Sequence, residues 1–237
     1  MKNKPIINTS DIQWRDNNAP YSGRFNDIYY MPDVGLDEAR HVFVAANNLS
    51  QRWSQLSRNE EFHIFECGFG TGLNFMATIN EWLKTGCSGK LVYTAFEGYP
   101  LTTEHLNKAL AVYEDELALI QKLIEQYPQA LDGNTIAMTE NVSLQLFVCQ
   151  AENLAESIIS SHGFDVVFMD GFSPANNPEM WSLSLCQQLY KITKDSATLS
   201  TFTVAGQVKR HLKEAGFDIK KVSGFGKKRE MLTATKC

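Results

Sequence analysis

The chain has 237 residues, 43% hydrophobic and 21% charged, with a net charge of −5; these values are ordinary for a globular protein long enough to bury a full core. No run reaches the roughly 18 apolar residues that a membrane helix needs, and the opening MKNKPIINTSDIQW has no apolar signal core. The expectation is therefore a cytoplasmic protein with no membrane partner, and the mildly acidic balance argues against a general nucleic-acid binder.

In chain order, residues 1–60 are polar and aromatic, and are expected to form an N-terminal extension packed on the core. Short strands are expected around 21–31. A helix is expected from Glu38 to Leu49, with apolar residues at 39, 42, 43, 46 and 49. From residue 61 to 237 strands and helices alternate. FHIFE is a buried strand, Leu73 to Lys84 a helix, and KLVYTAF a second strand. A long helical pattern covers about 103–127 and should end before Pro128. TIAMT and VSLQLFV form a β pair, Ala151 to Ser161 a helix, and FDVVFMD a strand. Pro178 to Thr193 reads as a helix with its proline in the first turn, where a missing N–H costs nothing. ATLSTFT is a strand, and Gly206 to Ala215 a helix stopped by Gly216. DIKKVS and REMLTAT close the chain as two strands with no helix between them, so an antiparallel hairpin is expected at a sheet edge. The alternation predicts an α/β fold, a mostly parallel sheet with helices on both faces.

The segment ECGFGTGLNF, residues 66–75, joins the first of these strands to its helix. Glycines at 68, 70 and 72 let the backbone turn tightly and let a ligand approach free N–H groups. The spacing is not the G-x-G-x-x-G of a dinucleotide site. Glu66 stands before the loop, where a carboxylate would repel a pyrophosphate and welcome a cation such as the α-ammonium of a methionyl group. This points away from NAD and towards S-adenosylmethionine. Glu97 ends the next strand, where a carboxylate can accept hydrogen bonds from two ribose hydroxyls. Asp170 ends FDVVFMD, at the carboxyl end of a central strand, and runs into GFSPANNPEMW. A carboxylate there can orient an amine and take its proton during methyl transfer; the alternative is a turn residue before Gly171.

The five histidines (41, 63, 105, 162, 211) form no metal spacing and no metal is expected. The five cysteines (67, 87, 149, 186, 237) include no C-x-x-C pair, which suits a reduced compartment. From residue 205 onward nine Lys/Arg face three acids, a surplus of six, so the preceding chain carries −11. That asymmetry is either a phosphate-facing segment or a solvated surface.

FNDIYY, GLDEARHVF, ECGFGTGLNF, DGFSPANNPEMW, TFTVAGQVKRHL, AGF and GFGKKREML occur in that order. Together they resemble the methyltransferase domain of the MnmC proteins over about residues 14–233. The resemblance implies a Rossmann-like, class I S-adenosylmethionine-dependent methyltransferase with a mostly parallel seven-stranded sheet and an antiparallel edge hairpin. It implies methylation of the primary amine of 5-aminomethyl-2-thiouridine at the wobble position of tRNA. Glu66, Gly68, Phe69, Gly70, Thr71, Gly72 and Asn74 would hold the methionyl part of the cofactor, and Glu97 the ribose. Asp170 and Phe172 would face the methyl and the target amine. Tyr29 and Tyr30 would wall the base, and Lys227, Lys228 and Arg229 would meet anticodon phosphates. Cys149-Gln150 stands where the family has Gly-Asp, so the adenine contact falls to the Gln150 amide. Many relatives carry a flavin-dependent oxidase domain. Here an FAD-dependent oxidase, separate or fused, is an expected partner, and no flavin is expected in this chain. The competing readings are a methyltransferase of another amine or base, a non-catalytic RNA-binding module that keeps the fold, and an NAD-dependent oxidoreductase.

Overall fold

A computed structural model describes residues 9–154, 158 and 163–237. Near the N-terminus, β1 (Ile12–Trp14), β2 (Pro20–Ser22) and β3 (Asp27–Ile28) form a small antiparallel sheet in that order. Helix α1 (Gly35–Ala39) runs directly into a π-helical turn, Arg40–Ala45, and α2 (Leu49–Trp53) follows. The helix expected over 38–49 is thus shifted and broken. Asn48 takes a left-handed conformation at φ +52°, which ends one turn and caps the next.

The remaining elements are β4 (Glu61–Cys67), α3 (Leu73–Thr85), β5 (Lys90–Glu97), α4 (Thr103–Leu110), α5 (Leu117–Leu131), β6 (Ile136–Ala137), β7 (Val142–Val148), β8 (Phe164–Met169), α6 (Leu183–Ile192), β9 (Thr193–Thr201), α7 (Gly206–Ala215), β10 (Phe217–Ser223) and β11 (Glu230–Lys236). They build one sheet in the order β10-β11-β9-β8-β4-β5-β7-β6. The five strands β9, β8, β4, β5 and β7 are mutually parallel. The hairpin β10–β11 is antiparallel, and β11 pairs antiparallel with β9. Seven strands are long, as expected; β6 adds a two-residue eighth strand at the far edge.

Three other expectations change. The pattern over 103–127 is two helices. Tyr113 lies in the break between them, its ring against Tyr30 at 5.9 Å. Pro128 lies inside α5, which continues to Leu131 because Tyr127 and Ala130 remain buried on the same helical face. The helix expected from Pro178 is a short 3-10 turn, Pro178–Trp181, followed by α6, whose N-cap Ser182 accepts from Leu185 N. Of the helix expected over 151–161, residues 151–153 form a 3-10 turn and 155–157 and 159–161 lie outside the described residues.

Strand alternation divides the core. Phe62, Ile64, Tyr93, Ala95, Val166 and Phe168 face α3 and α5, with Trp53 and Trp82 in the same layer. Phe65, Cys67, Phe96, Val167, Met169 and Leu199 face α6 and α7. Both faces of the parallel strands are therefore buried. Among the described residues no helix is long and apolar enough to cross a membrane.

Candidate active site

The register of the parallel strands brings three chain segments to one level. Cys67 of β4 is opposite Phe96 of β5 and Met169 of β8. The residues that follow are Gly68, Glu97 and Asp170, and all three line one cavity of about 830 Å³ at the carboxyl ends of the strands. Open α/β sheets place ligands at this position, where the strand order reverses direction, and the volume falls within the ~300–1,000 Å³ of ligand sites.

The glycine loop hangs from β5. Gly68 N and Phe69 N both donate to Phe96 O at 3.0 Å. Gly70 N donates to Glu97 Oε2 and Tyr99 N to Glu97 Oε1, each at 2.8 Å. The three glycines have φ of +76°, +52° and +72°, a region that costs a residue with a side chain roughly 1–2 kcal/mol. A Cβ on Gly70 would stand 3.4 Å from Cδ1 of Tyr29. The ring of Tyr29 thus lies against the loop, and Tyr29 Oη is tied to Ser10 Oγ at 2.6 Å. Phe69 turns its own ring inward, 6.3 Å from both Phe75 and Tyr127, so the loop offers its backbone to the cavity. Phe69 and Thr71 are buried but line the cavity; Gly72 lies behind it, at the N-cap of α3.

Glu66 is fully buried beneath the loop, at 0% exposure. Asn74, in the first turn of α3, donates from Nδ2 to Glu66 Oε1 at 2.8 Å and to Asp170 Oδ2 at 2.7 Å. Burial pushes the Glu66 carboxyl well above the carboxylate range, only partly offset by Asn74. Glu66, expected to hold the methionyl part itself, does not line the cavity; it holds Asn74, and it is Asn74 that reaches the cavity wall.

Asp170 takes a second hydrogen bond at Oδ1 from Gly171 N at 2.8 Å. Burial pushes its carboxyl up to about 6, against the lowering effect of Asn74 and Gly171. Such a group is ionised near neutrality and is a stronger base than an ordinary carboxylate. Burial also raises Glu97, whose backbone donors Tyr99, Gly70 and Gly98 oppose the shift.

At the mouth stands a group of aromatic rings that sequence reasoning found only in part. Phe172 stacks on Phe25 at 4.7 Å and meets Tyr29 edge-on at 4.9 Å. Phe25 meets Tyr99 at 5.7 Å, and the Arg24 guanidinium covers the Tyr99 ring at 4.2 Å. Phe25 belongs to the same RFNDIYY stretch as Tyr29, and Tyr99 lies two residues after Glu97; these were the available signals. Tyr30 differs from Tyr29. It is buried, its hydroxyl donates to Ala109 O, and its ring backs onto Gly35. It forms floor rather than an open stacking face. Gln150 lines the cavity with its Nε2 donating to Gly98 O at 3.0 Å. Of the basic segment, Lys228 lines the cavity, while Lys227 and Arg229 are exposed outside it.

The sequence profile of a family described as S-adenosyl-L-methionine-dependent methyltransferase matches residues 114–237. The chain is 41% identical over 223 residues to the tRNA 5-methylaminomethyl-2-thiouridine biosynthesis bifunctional protein MnmC of Marinomonas sp. (strain MWYL1), covering 93% of this chain and 33% of that protein. It is 38% identical over 233 residues to the protein of the same name from Marinobacter nauticus, covering 97% and 37%. The chain thus spans about a third of the length of these relatives. The crystal structure of MNMC2 from Aquifex aeolicus superposes with a TM-score of 0.75 at 18% identity, over 98% of this chain and 72% of that one; this likeness concerns the fold. The cavity, the glycine loop and the profile match agree: the chain belongs to the S-adenosylmethionine-dependent methyltransferase family, and along nearly its whole length it is related to the methyltransferase part of the MnmC proteins.

Proposed function

We propose that this chain transfers a methyl group from S-adenosylmethionine to the primary amine of 5-aminomethyl-2-thiouridine at the wobble position of tRNA, giving 5-methylaminomethyl-2-thiouridine. The observation that carries this reading is Asp170, a half-buried carboxylate raised to about 6, at the strand end beside a glycine loop and below an aromatic mouth. The residues fit the cofactor. Gly68 and Gly70 present left-handed backbone to the cavity, and Asn74 offers an amide beside Asp170 for the methionyl end. Glu97, anchored by the backbone N–H groups of Tyr99, Gly70 and Gly98, keeps lone pairs for ribose hydroxyls. Gln150 is assigned to the adenine side. When bound, the cofactor supplies an electrophilic sulfonium methyl.

The chain's own residues do the rest. An alkylammonium of the lysine kind, with a pKa near ~10, must lose a proton before its nitrogen can attack. Asp170 accepts a hydrogen bond from that ammonium, fixes its direction and takes or passes on the proton. Proton transfer to a group near 6 is uphill by about four units, so orientation and exclusion of water supply much of the effect. Phe172, Phe25 and Tyr29 offer faces and edges for an unstacked anticodon base. Lys227 and Arg229 are assigned to phosphates. The cytoplasm is the proposed compartment, and an FAD-dependent oxidase, on the same or a separate chain, is the proposed source of the aminomethyl substrate. No flavin is assigned to this chain; a flavin absorption band in the purified protein would contradict that.

The test is methyl transfer from labelled S-adenosylmethionine to tRNA with and without the aminomethyl group, preceded by calorimetric titration of the cofactor. Label incorporated only into the aminomethyl tRNA is the expected result. Label on a free amine without tRNA would favour a different amine substrate. Micromolar RNA binding with no cofactor binding would favour a non-catalytic module.

A further inference from the structure

Glu38 and Phe202 were assigned no role in the reading above, yet both line the cavity. Between them lies the ammonium of Lys228. Its Nζ is 2.8 Å from Glu38 Oε1 and 4.6 Å from the centroid of the Phe202 ring. This corner adjoins Asp170. Phe168 of β8 pairs with Ser200 of β9, so two residues further on Asp170 and Phe202 leave neighbouring strand ends. The charges of Glu38 and Lys228 both act on Asp170, with opposite sign. A primary alkylammonium held by one carboxylate and one aromatic face is how proteins bind such cations. The group that satisfies this corner here belongs to a flexible four-carbon stem. The pair is also exchangeable: the side chains are 51% exposed at Lys228 and 27% at Glu38, and pairs so placed are weakly held.

We propose that Glu38 and the Phe202 ring form a subsite for the primary ammonium of the substrate, and that Lys228 fills it until that substrate arrives. The inference rests on the reading of the cavity as a site of amine methylation and adds the residues that recognise the amine. It gives Lys228 a task different from phosphate binding. On substrate entry one ammonium replaces another at Glu38, so the net charge beside Asp170 is unchanged, and Glu38 and Asp170 share the incoming ammonium. The displaced Lys228 swings out towards the rim with Lys227 and Arg229.

The experiment uses n-propylammonium as the probe and saturation-transfer-difference NMR as the readout, on wild type, K228M and E38Q/K228M, with thermal unfolding as the check of folding. K228M should give a clear signal, wild type a weaker one because Lys228 competes, and E38Q/K228M a fall of roughly tenfold or more in affinity. Equal signals from K228M and E38Q/K228M, or none from K228M, would overturn the proposal. If K228M does not fold, K228Q and E38Q/K228Q replace the pair. In parallel, E38Q alone should lose affinity for aminomethyl tRNA while binding S-adenosylmethionine as wild type does. Absence of wild-type transfer to tRNA, with the NMR pattern as expected, would remove the tRNA reading alone. Wild-type transfer with a flat NMR pattern would remove the subsite alone.

Discussion

Replacing Gly70 by alanine separates backbone strain from ligand binding. At φ +52° an alanine costs roughly 1–2 kcal/mol, of which about 0.4–1 kcal/mol is returned by the stiffer unfolded chain. The new methyl would stand 3.4 Å from Tyr29, an ordinary contact, so packing adds little. The net loss is about 1 kcal/mol, or a melting point lowered by about 2–4 °C for a chain of this size. Gly86, at φ +62° with nothing within 4 Å of an added Cβ, is the matched control, and Gly86→Ala should lose as much. The two differ when ligand is added. S-adenosylmethionine at a hundred times its Kd should stabilise wild type and Gly86→Ala by about 2.7 kcal/mol. Gly70→Ala places its methyl at the cavity wall, under the ring that covers the loop, and should forfeit most of that gain. The assay is thermal unfolding with and without cofactor. A full ligand shift in Gly70→Ala would refute the assignment of this loop as the cofactor cradle.

Asp170, raised from 3.8 to about 6, should give a methyl-transfer rate that rises with pH through about 6 and then levels, and Asp170→Asn should abolish transfer while leaving cofactor affinity within about tenfold. The sign for stability is opposite to that of an ion-paired carboxylate. Between the two pKa values the native state holds a proton that the unfolded chain has released, so this group's contribution is present below about pH 4 and is lost as pH rises through about 6. Urea unfolding across that window should show Asp170→Asn gaining on wild type as pH rises. Phe172→Ala removes a stacking face and should raise the KM for tRNA about 10- to 100-fold, at ~1–3 kcal/mol per stacked base, with the cofactor Kd unchanged by titration. Lys227→Ala and Arg229→Ala should each reduce the slope of log affinity against log salt by about 0.7, and neither should alter cofactor binding.

Much of this site is legible in the chain because its grammar is local. A buried strand, three glycines and an amphipathic helix locate the loop, and the next strand end locates Glu97. Asp170 follows from a third strand by the same logic. Glu66 shows the limit. Its position at the strand end was readable, but its ionisation depends on burial and on Asn74, which only the packed structure supplies. The aromatic mouth shows another. Phe25, Tyr99 and Phe172 are distant in sequence, and a single sequence taken alone gives no sign that they meet. The break between α4 and α5 is of the same kind. Helix-forming residues run through it, and tertiary contacts such as Arg40 with Glu116, at 3.5 Å, shape the turn.

The mouth of the cavity is stitched by hydrogen bonds between distant parts of the chain. Ser173 N donates to Asp27 Oδ2 at 2.9 Å, across 146 residues. His41 meets Ser223 O at 3.0 Å across 182, and Lys228 meets Glu38 across 190. The glycine loop, in contrast, closes on Glu97 across 27. During synthesis the loop can therefore assemble on β4 and β5 long before its rim exists. The rim waits until residue 228 has left the ribosome, and its closure must overcome a larger loop entropy than that of the glycine loop. A nascent chain would acquire the glycine-loop side of its cavity first and the rim last, so an incomplete chain would have no finished cavity mouth.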